Sequence, residues 1–226
     1  MKNIYIYGDS IMKATLPDAN MKYRFHISDY LNRFSALPVN IVNRSKFGAY
    51  VDKGLAIVES DIKKQVDCDV ALIEYGGNDC NFDWAAIANN PNEKHLPKTV
   101  LDKFLSTMTD IVTKLRNRGV VPVMMTLPPV HAARYFECIT RDGKCGENIL
   151  SWLGDVEFIF RYQEMYSNAI AELAKKLKVL CIDMRSYLST YSVAEIVSAD
   201  GIHPSERGYE LIFAKLYECF KKILQY

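Results

Sequence analysis

The sequence lacks any apolar run near the roughly 20 residues that a helix needs to cross a bilayer, and it has almost no net charge. Its 28 Lys and Arg stand against 27 Asp and Glu, a formal +1. Without a long-range positive field, neither a dedicated nucleic-acid binder nor a polybasic membrane anchor is indicated. The six cysteines, at positions 68, 80, 138, 145, 181 and 219, contain no paired CxxC knuckle, which argues against a zinc finger or a small disulfide framework. Eleven glycines and eight prolines in 226 residues are ordinary for a globular chain, so neither disorder nor a fibrous repeat is suggested. The four histidines, His26, His95, His131 and His203, form no short metal-ligand motif. The opening MKNIYIYGDS reaches the polar Gly8, Asp9 and Ser10 where a signal peptide needs its apolar segment to continue, so a cytoplasmic location with reduced cysteines is the expectation. A chain of this length buries roughly 70% of its unfolded surface and needs neither metal nor disulfide to hold a core.

What is present is an alternation of apolar strands with amphipathic helices. The runs Ile4–Tyr7, Val39–Val42, Val70–Tyr75, Val120–Leu127 and Val179–Ile182 are mostly continuous rather than alternating, the pattern of a parallel sheet covered on both faces. Between them the spacing predicts helices over Tyr23–Phe34, over Gly54–Gln65, and over Pro97–Arg118, with Gly119 as a stop. Further helices are expected from about Glu157 to Leu177, with lysines at the C-terminal end, and over Glu206–Ile223, with Ser205 as N-cap. The stretch from Pro128 to Leu153 is longer than the roughly two-to-six-residue connection of α/β units, and it reads as an inserted lid over a substrate cleft. Within it, His131, Arg134 and Trp152 are candidates to touch substrate, set against the plainer readings of a surface ion pair and a packing anchor. The turn Arg141-Asp142-Gly143-Lys144 lies in the same stretch.

Three short segments carry chemistry. The first strand runs into Gly8-Asp9-Ser10, placing a hydroxyl at the carboxyl edge of a parallel sheet, where ligands commonly bind. Gly76-Gly77-Asn78-Asp79 follows the third strand and brings an amide donor to the same edge. Asp200-Gly201-Ile202-His203 sets an acid and an imidazole three residues apart before the last helix. A serine nucleophile needs a base, and the base needs an acceptor that fixes its tautomer, roles that Ser10, His203 and Asp200 supply. The oxyanion of an acyl intermediate needs donors, which Asn78, the backbone and Gly48 in Phe47-Gly48-Ala49 can offer. Each segment alone is equally a turn or a cap.

Taken together, these residues resemble the SGNH, or GDSL, hydrolase family over almost the whole chain: Gly8-Asp9-Ser10 matches its nucleophile motif, Gly48 its glycine, Gly76–Asp79 its GxND motif and Asp200–His203 its DxxH motif. Ile11 and Met12 depart from the longer GDSL signature, which leaves the lipase or esterase branch open. The resemblance implies an α/β fold, a three-layer α/β/α flavodoxin-like architecture with a five-stranded parallel sheet in the order 2-1-3-4-5. It also implies Ser10 as nucleophile, His203 as base, Asp200 as its orienting acid, and an oxyanion hole of Ser10 N–H, Gly48 N–H and the Asn78 side chain. No cofactor and no metal are implied. The expected partner is a small-molecule ester, with carbohydrate O-deacetylation or short-acyl hydrolysis among the subclasses, with no nucleic acid and no integral membrane association, and with a homo-oligomer left open. The alternatives are a non-catalytic carbohydrate-binding protein on the same scaffold and a soluble interaction protein.

Overall fold

The computed structural model describes residues 1–141, 143 and 145–225. Asp142 and Lys144 of the Arg141–Lys144 turn therefore lie outside the described residues. In chain order the strands are β1 (Lys2–Gly8), β2 (Thr15–Pro17), β3 (Tyr23–Phe25), β4 (Val39–Asn43), β5 (Val70–Glu74), β6 (Val121–Met125) and β7 (Leu180–Ile182). The helices are α1 (Ile27–Leu31), α2 (Val51–Lys63), α3 (Trp84–Asn89), α4 (Leu101–Arg116), α5 (Ala132–Thr140), α6 (Gly146–Leu153), α7 (Phe158–Leu177), α8 (Met184–Leu188), α9 (Val193–Ile196) and α10 (Glu206–Ile223).

Five strands form one parallel sheet in the order β4-β1-β5-β6-β7. Numbered within the sheet, this is 2-1-3-4-5. Side chains alternate between two apolar layers. Ile4, Ile6, Leu72 and Val123 face a layer closed by Tyr209, Ile212, Phe213, Leu216 and Phe220 of α10, while Tyr7, Ala71, Ile73 and Met124 face α2, α4 and α7. Burial on both faces is why these strands read as unbroken apolar runs. Each fully buried Ile, Leu or Val contributes on the order of 2 kcal/mol relative to exposure. A third cluster joins Phe82, Trp84 and Ile87 to Val130, Tyr135, Ile139, Ile149 and Leu153 above the carboxyl edge.

Several expected boundaries change. Tyr23–Phe34 is not one helix: Tyr23–Phe25 pairs antiparallel with Thr15–Pro17, and only then do α1 and a 3-10 turn at Asn32–Ala36 follow. The physical reason is local. Asp18 Oδ1 accepts the N–H groups of Asn20 and Lys22, and Met21 takes a left-handed φ of +60°, which together close a hairpin. The Pro128–Leu153 stretch is built of α5 and α6, with Ala132, Tyr135 and Ile139 of α5 inward at helical spacing. The last helix spans Glu206–Ile223, and Ser205 Oγ accepts the Gly208 N–H at 3.1 Å.

In this strand order the chain leaves β1 toward β4 on one side and returns to β5 on the other. The loops after β1 and β5 diverge, and a crevice opens between them at the carboxyl edge. Ser10 follows β1 and Asn78 follows β5.

Candidate active site

Gly8 closes β1 opposite Glu74 of β5. A Cβ there would meet the Met12 side chain at 2.8 Å and the Glu74 carbonyl at 3.1 Å, so only glycine lets the strand turn this tightly. Asp9 Oδ1 then accepts the Ile11 N–H at 2.8 Å, and the Ser10 carbonyl accepts the Lys13 N–H at 3.2 Å and the Thr15 hydroxyl at 2.8 Å. These bonds hold Ser10 at the start of a one-turn 3-10 helix with its hydroxyl facing the crevice side of His203.

His203 comes from the loop between α9 and α10, where Val197 bridges Pro204. Its Nε2 lies 2.9 Å from Ser10 Oγ and its Nδ1 lies 2.6 Å from Asp200 Oδ2. Asp200 Oδ1 meanwhile accepts the Ser198 hydroxyl at 2.8 Å and the N–H groups of Ile202 and His203, each at 3.0 Å. Burial alone would raise this carboxyl, since Asp200 has no exposed surface. The hydrogen bond and charge of His203 and the two backbone donors outweigh burial and hold it below its ordinary value. Gly201 makes the turn possible: its φ is +81°, and a Cβ would stand 2.2 Å from the Tyr135 nitrogen of α5.

Asn78 and Asp79 both reach the segment that leads into α2. Asn78 Nδ2 donates to Asp9 Oδ2 at 3.0 Å and to the Ala49 carbonyl at 3.1 Å. Asp79 accepts the Val51 N–H at the start of α2, at 3.1 and 3.2 Å, so one turn ties the Ser10 loop to the next helix. Gly48 is exposed with φ of +67° and free space where a Cβ would be, so conformation rather than room requires glycine here.

Asp9 and Glu74 are buried side by side behind Ser10. The Asp9 N–H points at Glu74 Oε2 at 3.5 Å, and Glu74 Oε1 has no hydrogen-bond partner among the described residues. Burial, with the adjacent Asp9 charge, pushes the Glu74 carboxyl well above its usual range. Burial raises Asp9 too, to about 6, with the Ile11 N–H, His203, Glu74 and the Asn78 amide acting against it.

A cavity of about 70 Å³ adjoins Ser10, His203 and Asn78, walled by aromatic and aliphatic groups including Phe82, Trp84, Tyr135, Phe158 and Tyr162. Asn81 Oδ1 accepts both the Trp84 indole N–H and the Tyr135 hydroxyl at 2.9 Å, which fixes that wall. Beside His203, the Tyr23 ring lies 5.0 Å from the imidazole, and the Phe47 ring lies 6.3 Å away and nearly parallel to it. Phe25 packs on Phe47 at 5.7 Å, and both are about half exposed, at 50% and 46%. Chemically, the chain of bonds through Ser10, His203 and Asp200 can pass a proton from a hydroxyl to an imidazole beside an apolar cavity.

Residues 6–211 match the model of the GDSL-like lipase/acylhydrolase family. The chain belongs to that family. Solved structures with the same fold include a lipase/acylhydrolase from Enterococcus faecalis, 18% identical, with a TM-score of 0.69 over 98% of this chain and 96% of that one. A catalytic mutant of an acetylxylan esterase from Geobacillus stearothermophilus is 18% identical, with a TM-score of 0.65 over 96% of this chain and 93% of that one. A GDSL-like lipase from Bacteroides thetaiotaomicron is 14% identical, with a TM-score of 0.64 over 98% and 89%. No curated protein matches the chain in sequence. Membership of a hydrolase family makes a small-molecule substrate the expected partner. Among the described residues no helix is long and apolar enough to cross a membrane, and no group of three or more His, Cys, Asp or Glu side chains is placed to hold a metal ion.

Within this GDSL-like hydrolase the structure brings Ser10, Asn78, Asp200 and His203 together, while Gly48 sits on the adjacent loop beside Phe47 and Ala49. His131, Arg134 and Trp152 do not line the cavity. His131 caps α5 through Nδ1, and its N–H donates to the Gly201 carbonyl. Arg134 donates to the carbonyls of Ala194 and Val197, bracing the segment that leads to Asp200. Trp152 packs edge-on against Phe82, one layer behind the wall. Sequence reasoning missed Tyr23, Phe47 and Glu74 as neighbours of the site. The signal for Glu74 was on view, an acid inside the apolar run Val70–Tyr75; Tyr23 was hidden by the helical spacing that mimics its hairpin.

Proposed function

We propose that the chain is a serine ester hydrolase that removes short acyl groups, acetyl foremost, through a Ser10–His203–Asp200 acyl-enzyme mechanism that needs no metal. The observation that carries this reading is the pair of hydrogen bonds joining the three side chains at 2.9 and 2.6 Å. Ser10 Oγ attacks the ester carbonyl while His203 Nε2 takes its proton; the same imidazolium protonates the departing alcohol, and a water activated by His203 then releases the acid. Asp200 keeps the Nδ1–H tautomer and offsets the imidazolium charge.

The Ser10 and Gly48 N–H groups and the Asn78 amide are the donors for the oxyanion. Asn78 already spends both amide hydrogens, one on Asp9 and one on Ala49. Binding the oxyanion therefore exchanges the Ala49 carbonyl for the substrate oxygen, while the Asp9 bond holds the amide in place. The cavity supports a small acyl group: its 70 Å³ is about half of the ~150 Å³ that admits a benzene. The half-exposed Phe47 beside His203, with Phe25 packed on it, favours a saccharide as the alcohol portion, because flat aromatic faces pack against sugar rings. The acetylxylan esterase of the same fold is a supporting parallel. The part of the stretch up to α5 is read as cavity wall, since Val130 and Tyr135 line the cavity and Arg134 braces the segment before Asp200.

Fluorophosphonate labelling with peptide mass spectrometry is expected to place the adduct on Ser10. A mass-resolved screen of acetylated sugars, short acyl esters and lysophospholipids, with Ser10→Ala as control, is expected to give the highest selective turnover on acetylated saccharides. Full turnover by folded Ser10→Ala removes the mechanism, and saccharide binding without turnover by the native protein favours a non-catalytic binding protein.

A further inference from the structure

Glu74 stands at the carboxyl end of a central strand, with no exposed surface, beside Ser10 on the cavity wall. A buried carboxylate is ordinarily paired with a cation or given several donors. Among the described residues Glu74 has neither: the Asp9 N–H reaches Oε2 only at 3.5 Å, no donor meets Oε1, and its side-chain contact is with the Asp9 carboxyl itself. The groups that face it are themselves acidic or neutral. Asp9 comes from the turn after β1, Tyr75 and Asp79 from the continuation of β5, and Tyr209 from α10, with His203 next to Asp9 on the far side. Asp9, by contrast, has the Ile11 N–H on Oδ1 and the Asn78 amide on Oδ2. Two adjacent buried carboxyls cannot both be ionised cheaply, and the one with donors keeps the charge.

We propose that Glu74 is a positioning residue held as a neutral carboxylic acid, which leaves Asp9 as the single anion that orients the Asn78 amide for the oxyanion. This rests on the serine-hydrolase reading above. Its consequence is an alkaline limit to activity. When Glu74 loses its proton, a second negative charge enters beside Asp9, where the facing groups Asp79, Tyr75 and Tyr209 offer no compensating charge. That charge competes for the hydrogen bonds of Asp9 and opposes the negative oxygen that forms in the transition state. Turnover then falls by about tenfold for each pH unit beyond the titration.

The test is the pH profile of kcat on an acetyl ester, from about pH 6 to about pH 10, for the native protein and for Glu74→Gln. Glutamine keeps the shape and the neutrality of the acid and cannot ionise. The native profile is expected to fall on the alkaline side, and the Glu74→Gln profile to lack that fall, whatever the height of its plateau. The same alkaline fall in both proteins overturns the proposal, and so does a native profile with no fall. A second measurement needs no variant: with carboxyl-labelled glutamate, the infrared carbonyl band of a protonated acid should persist at neutral pH in the native protein and vanish along the same curve as kcat. Absence of that band, or its loss at a different pH from kcat, also overturns the proposal. A native protein that hydrolyses no ester would sink the functional reading instead, while the infrared band would still report whether Glu74 holds its proton.

Discussion

Asp200→Asn is the most informative single change, because the hydrogen bonds around Asp200 dictate how the amide must sit. Three donors converge on Oδ1, from Ser198 Oγ, Ile202 N and His203 N. If the asparagine carbonyl takes that position, its NH2 faces His203 Nδ1, where the carboxylate now stands at 2.6 Å. The opposite orientation sets the NH2 against three donors, and each buried donor left unmet costs about 1–3 kcal/mol. The first orientation therefore wins by several-fold over thermal energy. It forces Nδ1 to be an acceptor, moves the ring proton to Nε2, and leaves Ser10 Oγ facing an N–H where it needs a base. The expected loss in kcat is about 10⁴-fold, or about 5.5 kcal/mol of transition-state stabilisation. The melting temperature should move little by comparison, since the three bonds to Oδ1 survive. Steady-state kinetics on an acetyl ester at neutral pH, run beside a thermal melt, gives both readouts. A folded Asp200→Asn protein within about tenfold of the native kcat would refute the reasoning about the tautomer.

Three further outcomes follow from the same geometry. Gly201→Ala puts a methyl 2.2 Å from the Tyr135 nitrogen at a φ of +81°, so the turn or α5 must move; a destabilisation of about 1–3 kcal/mol and a lower kcat are expected, read by thermal melts and kinetics. Phe47→Ala removes a ring that is 46% exposed, so stability should be nearly unchanged while KM for an acetylated saccharide rises several-fold and KM for a simple short ester does not. Burial raises the Asp79 carboxyl from 3.8 to about 6, against the hydrogen bonds of Thr99 and Val51. A raised acid contributes stability that is complete below its unfolded value and is lost as pH rises through its folded value, a fall of about 3 kcal/mol between those limits. Asp79→Asn should flatten that fall in unfolding free energy measured between about pH 4 and about pH 7.

The sheet was readable because burial on both faces writes itself as unbroken runs such as Val70–Ile73, and α10 because Ser205 and its inward aromatic stripe mark both its start and its face. Ser10, Asn78, Asp200 and His203 were readable because each sits in a short turn directly after a strand or before a helix, where spacing along the chain sets geometry. The hairpin at Thr15–Phe25 was not readable, because three-residue strands are too short for a period of two to outweigh an accidental helical spacing. Nor was the displacement of Trp152 from the cavity: a tryptophan on α6 reads alike whether it meets substrate or the back of Phe82. The meeting of Asp9 with Glu74 depends on strand register across 65 positions, which no local pattern encodes.

The contact between Ser10 and His203 joins two residues 193 positions apart. The hydroxyl sits on the turn after β1 and the imidazole on the loop before α10, and that helix supplies Tyr209, Phe213 and Phe220 to one layer of the core. The separation of hydroxyl and imidazole is therefore set by how α10 seats on the sheet, and a substitution in the core beneath that helix can shift the pair without touching either residue.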